Sequence, residues 1–421
     1  MDIIQSLKTI LGRILILLIV FYYIYPQALD VRGSSFISMS GIIGIIVYAL
    51  HKFPFKEVFH LLLFFGAYIA VCLLASYLSD NSDDYYISFI RSQMAWFFTA
   101  YLIMFLIFKL HSTPKFETLL IYIIGAIALQ CAVTLIMYFN KEANDFFFSL
   151  QLQAEIDETK KEMAGEYRLI GYGTGFFGAG IVAGYGLMLI PYLILKIKMN
   201  SAQYLLTAAT YTFIFLIGLF SARTTVVGAG LSIVIFVIIY FFDNKPYRRQ
   251  GGIFLISLIV LLAVGVSLCF IYFPEYTDWA FELFTNAKAG QGFQTDSSNG
   301  LYGMFYAPED FRTFLIGNGS MKFFGSDVGF TRLWFHSGLI GMAIYFLYGL
   351  FIVKKSWTKD WVINFLILMI VLDGLLMNVK GLTDLNMVLY LFFFYFMFHK
   401  YYVFYPQIRL KNHNSLIGTQ Q

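Results

Sequence analysis

Ser221-Ala-Arg-Thr-Thr225 sets an arginine in a polar hairpin a few residues long, between two apolar runs. A guanidinium beside the free N–H groups of a helix start is a phosphate-binding arrangement, because both offer positive charge and donors to an oxyanion. Without an anion, the helix dipole disfavours a cation there. The plainer alternative is an arginine whose stem lies in the apolar layer while its head snorkels to the interface. Arg168, in Tyr167-Arg-Leu-Ile-Gly-Tyr-Gly173, also precedes an apolar run. That run opens Gly173-Thr-Gly-Phe-Phe-Gly-Ala-Gly180 and continues to Gly184 and Gly186. Glycines in such a run let a neighbouring helix, or a lipid chain, approach closely.

Asp327 lies where a Gly- and Ser-rich stretch, Ile316 to Ser326, meets the apolar run that follows. An aspartate there can cap a helix start. A carboxylate at a polar–apolar boundary can also have the raised pKa that suits a proton acceptor. Arg332 and His336 follow, four residues apart on neighbouring faces of a helix. His336 falls about two turns into the run and suits a hydrogen-bonded packing residue better than a base. Arg91 is about one turn inside another run, within snorkelling reach. Asp373 lies deeper, in Val371-Leu-Asp-Gly-Leu-Leu-Met-Asn378, where a carboxylate must pair with a cation, line a polar cavity or stay protonated. Cys72, Cys131 and Cys269 all sit in apolar runs without metal-ligand spacing. There is no Asp-x-Asp pair and no histidine cluster, so the sequence predicts no metal and no cofactor.

The elements that must carry these residues follow from composition. The chain has 421 residues, of which 59% are hydrophobic, 19% aromatic and 13% charged. Soluble domains carry about 25% charged residues, so the class expected is an integral membrane protein. A span needs roughly 20 apolar residues. Twelve runs qualify, at about 9–25, 36–51, 58–78, 87–108, 118–139, 174–196, 203–221, 224–242, 252–273, 330–353, 361–379 and 384–404. The first ends without a small-residue cleavage site and reads as a span, not a cleaved signal. With both termini cytoplasmic, 17 of the 29 basic residues fall on the cytoplasmic side, against Arg32, Arg223 and Lys380 in the short outer loops. That asymmetry is what the positive-inside rule demands. The net charge of +4 is segregated by membrane side and is not a nucleic-acid signal.

The expected organisation is a single polytopic domain over 1–421 with two long outer loops, 140–173 and 274–329. Each holds seven acidic residues, against four and three basic ones respectively. In the first loop, the polar run Gln151 to Glu166 predicts a solvated helix. The second is rich in Gly, Ser, Asn and Tyr and predicts short helices mixed with turns. Loops of this length in a compact protein are usually functional.

Several segments, in this order, resemble the O-antigen polymerase (Wzy) family within the polymerase–ligase superfamily. They are Arg168-Leu-Ile-Gly171, Ser221-Ala-Arg223, Gly317-Asn-Gly319, Ser326-Asp-Val-Gly329 and Gly338-Leu-Ile-Gly341. Phe281-Glu-Leu-Phe284 and Leu301-Tyr-Gly-Met304 are also similar. The likeness in topology covers the whole chain, and that in sequence covers roughly 165–345. Ligases of the superfamily carry His-Asn where this chain has Asp327-Val328, a departure that favours polymerase over ligase.

The resemblance implies an all-α membrane glycosyltransferase of the GT-C class, in the bacterial inner membrane, with its site on the periplasmic face. The implied reaction transfers a growing glycan from undecaprenyl pyrophosphate to the non-reducing end of a new lipid-linked repeat unit. On that basis Arg223 and Arg168 would hold the pyrophosphate, with Arg332, Arg91 and Arg312 as further substrate-binding cations. Asp327 would accept a proton, and Tyr302, Tyr306 and Trp279 would hold sugars. Implied partners are the undecaprenyl-pyrophosphate-linked oligosaccharide and membrane lipid, with room for a chain-length regulator and a flippase. The alternatives are an O-antigen ligase acting on lipid A-core, a polysaccharide flippase or other transporter, and a structural subunit of an envelope assembly. A transporter would usually show internal repeats and broken helices with midplane charge, and no matching halves are visible.

Overall fold

Each of the twelve apolar runs becomes a helix. The computed structural model describes the chain except for residues 1–2, 52, 81–82, 152–168, 170, 174–175, 244–246, 291, 293–299, 322–324, 384–385 and 405–421. The first five apolar helices are α1 (Ile3–Ile24), α2 (Phe36–Leu50), α3 (Phe55–Leu78), α4 (Tyr85–His111) and α5 (Phe116–Phe139). A short amphipathic helix, α6 (Lys141–Leu150), follows and is N-capped by Asn140. Next come α7 (Phe176–Lys196), α8 (Ser201–Ser221), α9 (Thr225–Phe242) and α10 (Arg248–Tyr272). The second outer loop contributes α11 (Pro274–Lys288), a 3-10 turn (Gly300–Met304) and α12 (Phe311–Ile316). The last apolar helices are α13 (Gly329–Ser356), α14 (Trp361–Met377) and α15 (Asn386–Phe404). Among the described residues nine of these helices are long and apolar enough to cross a membrane, and α2 and α14 are shorter apolar helices. This is an all-α, multi-pass membrane architecture. The polar run 152–166 lies outside the described residues.

Lipid is as apolar as leucine, so helices in it associate by close fit and polar contacts. The fit is tightest around α7, which is buried along almost its whole length and packs on α5, α8, α9 and α14. Where α7 crosses α9, a Cβ on Gly228 would overlap the Cα of Gly184. The glycines of this run therefore serve helix packing. Elsewhere aromatic rings interlock, with Phe97 of α4 4.6 Å from Phe394 of α15, and Phe53 5.2 Å from Phe398. By contrast α10 shows lipid-facing side chains on several sides, including Ile256, Ile259, Val264 and Ile271.

Charge at the two ends is handled by pairing. At the end carrying most lysines, Lys196 bonds Asp243 at 3.1 Å and Lys355 bonds Glu57 at 2.9 Å. The opposite end holds the α8–α9 hairpin with Arg223, the α3–α4 turn, the α14–α15 turn and the start of α13.

The tenth span differs from the expectation of one helix over 330–353. Gly338 has φ 63° and ψ −174°, which breaks α13 into 329–337 and 339–356. Phe330 and Phe346 would lie about 24 Å apart on a continuous helix, yet their ring centroids are 6.0 Å apart. The 329–337 segment therefore folds back beside the span that follows it. The break frees carbonyls, and the outer loop satisfies them. Asn318 N–H donates to Phe335 O at 2.7 Å and Gly319 N–H to His336 O at 3.0 Å. The Gly317-Asn-Gly319 and Gly338-Leu-Ile-Gly341 segments are thus two halves of one joint, since a Cβ on Gly338 would strike the backbone of Leu315 and Ile316.

Gly228→Ala should lower the melting temperature of the detergent-purified protein, with a cost of roughly 1–3 kcal/mol for overpacking. Gly230→Ala, where a Cβ meets open space, should leave it unchanged or raise it. Equal melting of the two variants would show that the α7–α9 crossing is not close-packed.

Candidate functional site

Arg223 occupies the three-residue link between α8 and α9, both of which are apolar up to their ends. The hairpin is seated on α7, because a Cβ on Gly180 would overlap Thr224 Oγ1. Its guanidinium is mostly shielded from solvent, and two side chains of α11 enclose it. Arg223 Nη1 lies 2.5 Å from Glu282 Oε2, and the guanidinium carbon is 4.4 Å from the Trp279 ring centroid. Trp279 and Glu282 are three apart on α11, which puts them on one face. A desolvated cation requires this kind of compensation. The pairing explains how an arginine is tolerated between two apolar helix ends. The place beside the guanidinium is taken by the Glu282 carboxylate.

Arg168 lies outside the described residues. Its chain neighbour Leu169 is buried and donates its N–H to Phe220 O at 3.1 Å, beside the end of α8. The chain that follows Arg168 is therefore tied to the end of α8.

A second group of candidates gathers around the broken helix α13. Arg332 donates from Nη2 to Met321 O at 3.3 Å, and its Nε is buried with no partner among the described residues. Arg312 is exposed and donates to Leu78 O at 2.8 Å. Asp310, at the N-cap of α12, accepts the Thr313 N–H at 2.9 Å, and this bond holds its carboxyl below the usual carboxylate range. Arg91 is exposed on the second turn of α4, and no contact among the described residues joins it to this group. Tyr302 belongs to the 3-10 turn Gly300–Met304, and its side chain is outside the described set. Tyr306 packs its ring 5.6 Å from Phe335.

Asp327 is exposed, and it does not cap the helix as one sequence-based expectation had it. The cap position of α13 is Val328, and Ser326 Oγ accepts the Val328 N–H at 3.2 Å. Ser326 also donates to Met304 O at 2.6 Å, tying the 3-10 turn to the start of α13. The Asp327 carboxylate is thus exposed, two residues before the broken helix.

Two buried groups take no part in either cluster. His336 has no exposed surface, and its Nε2 is 3.6 Å from Cys72 Sγ. Asp373 is fully buried near the α7–α9 crossing, and among the described residues no cation pairs with it.

Residues not singled out as partners from the sequence include Glu282, which answers Arg223, and Asp83. Asp83 accepts the Tyr85 N–H at 2.9 Å and the Met321 N–H at 2.7 Å, pinning the outer loop to the α3–α4 turn. The Trp279-x-x-Glu282 spacing on a loop helix was the available signal for the first. Nothing local in the sequence pairs Asp83 with a residue 238 positions away. Comparison with models of protein families, with curated proteins and with solved structures finds no match.

A double-mutant cycle on Arg223→Ala and Glu282→Gln should give a coupling of about 1–3 kcal/mol in thermal unfolding, as expected for a shielded but not wholly buried pair. A coupling within experimental error of zero would mean that α11 docks on the bundle without this contact.

Proposed function

We propose that this chain is a polysaccharide polymerase resembling the O-antigen polymerase family. In this role it is a metal-independent GT-C-type glycosyltransferase of the bacterial inner membrane, with both termini cytoplasmic. It transfers a growing glycan from undecaprenyl pyrophosphate to the non-reducing end of a new lipid-linked repeat unit on the periplasmic face. The observation that carries this reading is Arg223, a shielded guanidinium at the lysine-poor end of the bundle, stacked on Trp279 and already holding an oxyanion.

In this scheme the pyrophosphate takes the place of the Glu282 carboxylate against Arg223. An acceptor hydroxyl oxygen attacks the anomeric carbon of the donor sugar. The bond from that carbon to the phosphate oxygen breaks, and the electron pair leaves with the pyrophosphate. Arg223 stabilises the departing anion, with Arg168 as a second cation. Electrostatic stabilisation in a water-poor site is often the largest catalytic contribution. The acceptor proton goes to a carboxylate. Asp327 is the candidate, since it is exposed on the same end and free of a capping role. Arg332, Arg312 and Arg91 supply positive charge to the remaining head-group oxygens, and Tyr302 and Tyr306 supply surfaces for sugars.

The test is polymerisation in proteoliposomes supplied with lipid-linked repeat units, after matching the amounts of each variant. Wild type should yield a glycan ladder. Arg223→Ala should lower the rate by about 10²–10³-fold, the loss typical of one removed anion-stabilising donor, and Arg223→Lys should keep part of it. Asp327→Asn should lower it by about 10²–10⁴-fold if that carboxylate is the base. A full ladder from Asp327→Asn would move the base into the second outer loop. Absence of a ladder in wild type, with repeat units crossing the bilayer, would replace the polymerase by a transporter.

A further inference from the structure

Asp373 is the one ionisable side chain of α14. It has no exposed surface, and neither carboxyl oxygen has a hydrogen-bond partner among the described residues. It points into a seam of small residues. Its Oδ1 lies 3.9 Å from where a Cβ on Gly184 of α7 would be, and that same position is 3.2 Å from Gly228 Cα of α9. α14 packs on both helices. A charged carboxylate in such a place requires a cation, water or hydrogen-bond donors. The two backbones meet too closely at Gly184 and Gly228 for a hydrated ion to stand between them.

The packed helices supply no counter-charge. The ionisable side chains of α7 are Tyr185, Tyr192 and Lys196, and that of α9 is Tyr240. Tyrosines are neutral at neutral pH. Lys196 lies roughly 18 Å beyond Gly184 along α7 and is paired with Asp243. Arg223, just before α9, is held by Glu282. Lys380, in the turn after α14, does not reach the Asp373 oxygens. One end of the seam is nevertheless polar. Asp373 is about one turn from the end of α14 at Met377. One turn from Gly184 toward the same end, Gly180 makes room for Thr224, whose hydroxyl oxygen is buried and also lacks a partner among the described residues. Thr224 adjoins Arg223 in the α8–α9 hairpin. Toward the opposite end, Ile367 and Ile370 of α14, Ile235 of α9 and Met188 of α7 are buried and apolar.

We propose that Asp373 is a proton-binding site inside the membrane, loaded along the α7–α9 seam from the end that carries the Arg223 hairpin. The bound proton makes the carboxyl a neutral acid, the form that this packing suits. The Thr224 hydroxyl can accept one proton and donate another, so it relays protons between the hairpin and the site. Release of the proton puts a charge on a dry crossing, so α7 and α9 must part for the site to empty. The site does not rest on the polymerase reading.

The experiment uses the full chain, purified in detergent. Infrared difference spectra of wild type against Asp373→Asn should show a carboxylic-acid C=O band at neutral pH that the variant lacks, because exposed carboxyls are ionised there. Asp373→Glu should restore an acid band at a different frequency. Transfer to heavy water should shift the wild-type band, and Thr224→Val should slow that shift several-fold, while Ile235→Val should not. Thermal unfolding gives a second readout. The folded wild type holds a proton that its unfolded chain releases at neutral pH. Its stability relative to Asp373→Asn should therefore fall as pH rises from acid to neutral, by up to about tenfold in the folding constant per pH unit. A carboxylate band in place of the acid band, or equal pH dependence of the two proteins, would overturn the proposal. Stabilisation by sodium or potassium in wild type alone would also overturn it, by making the site one for a metal cation. An acid band whose exchange is untouched by Thr224→Val would overturn the route.

Discussion

A helix broken at the edge of a bilayer leaves carbonyls that neither lipid nor the helix itself can satisfy. At Gly338 this demand is met by two N–H groups of the outer loop, on Asn318 and Gly319. Much of the outer architecture follows from that joint. The loop must come close, so a Cβ on Gly319 would collide with Ser76 of α3. It must be anchored, so Asp83 takes the Met321 N–H and Arg312 reaches Leu78 O. Trp334 Nε1–H, donating to Phe314 O at 3.0 Å, fastens α12 to the folded-back segment. Residues 311–321 of the outer loop are held against the bundle because a single glycine in a span is not helical.

The Arg223 hairpin solves a different problem by related means. Its guanidinium is taken partly out of water, and α11 returns a carboxylate and an indole face to it. An arginine over a tryptophan gains roughly 0.5–2 kcal/mol, more as water is excluded. The two outer features, the joint and the seat, are both made by parts of the second outer loop acting on the bundle. They are linked through the α14–α15 turn. There, Gly381 lies against Phe177 of α7, and Asn378 accepts the Phe330 N–H at 3.3 Å through its carbonyl.

The twelve helices were legible because hydrocarbon imposes length and polarity on every span, and a run such as 252–273 has no other stable form. The acidic second loop was legible as short helices and turns from its composition. The break in α13 was not, because Phe330 to Val353 reads as one apolar run and a positive φ at Gly338 leaves no trace in hydropathy. That a cation in a hairpin between two apolar runs calls for an anionic partner was legible in Ser221 to Thr225. That Glu282 supplies one was not, because nothing in a local pattern says which of the loop's carboxylates the hairpin will meet. Asp327 shows the opposite failure. Its place before a helix matched a capping pattern, yet the helix starts a residue later and a serine serves the cap region.

Most of the apolar surface of α10 is left uncovered by the rest of the chain and suited to lipid, with Gly251, Phe254 and Cys269 as its few buried residues. For a helix in that position the solvent, not a neighbour, sets the requirements on sequence. Isoleucine, valine, leucine and phenylalanine become nearly interchangeable over most of its surface. The chain can accumulate apolar exchanges there without consequence, while α7, bordered on all sides, can accept almost none. Two helices of similar hydropathy thus have opposite freedom to diverge.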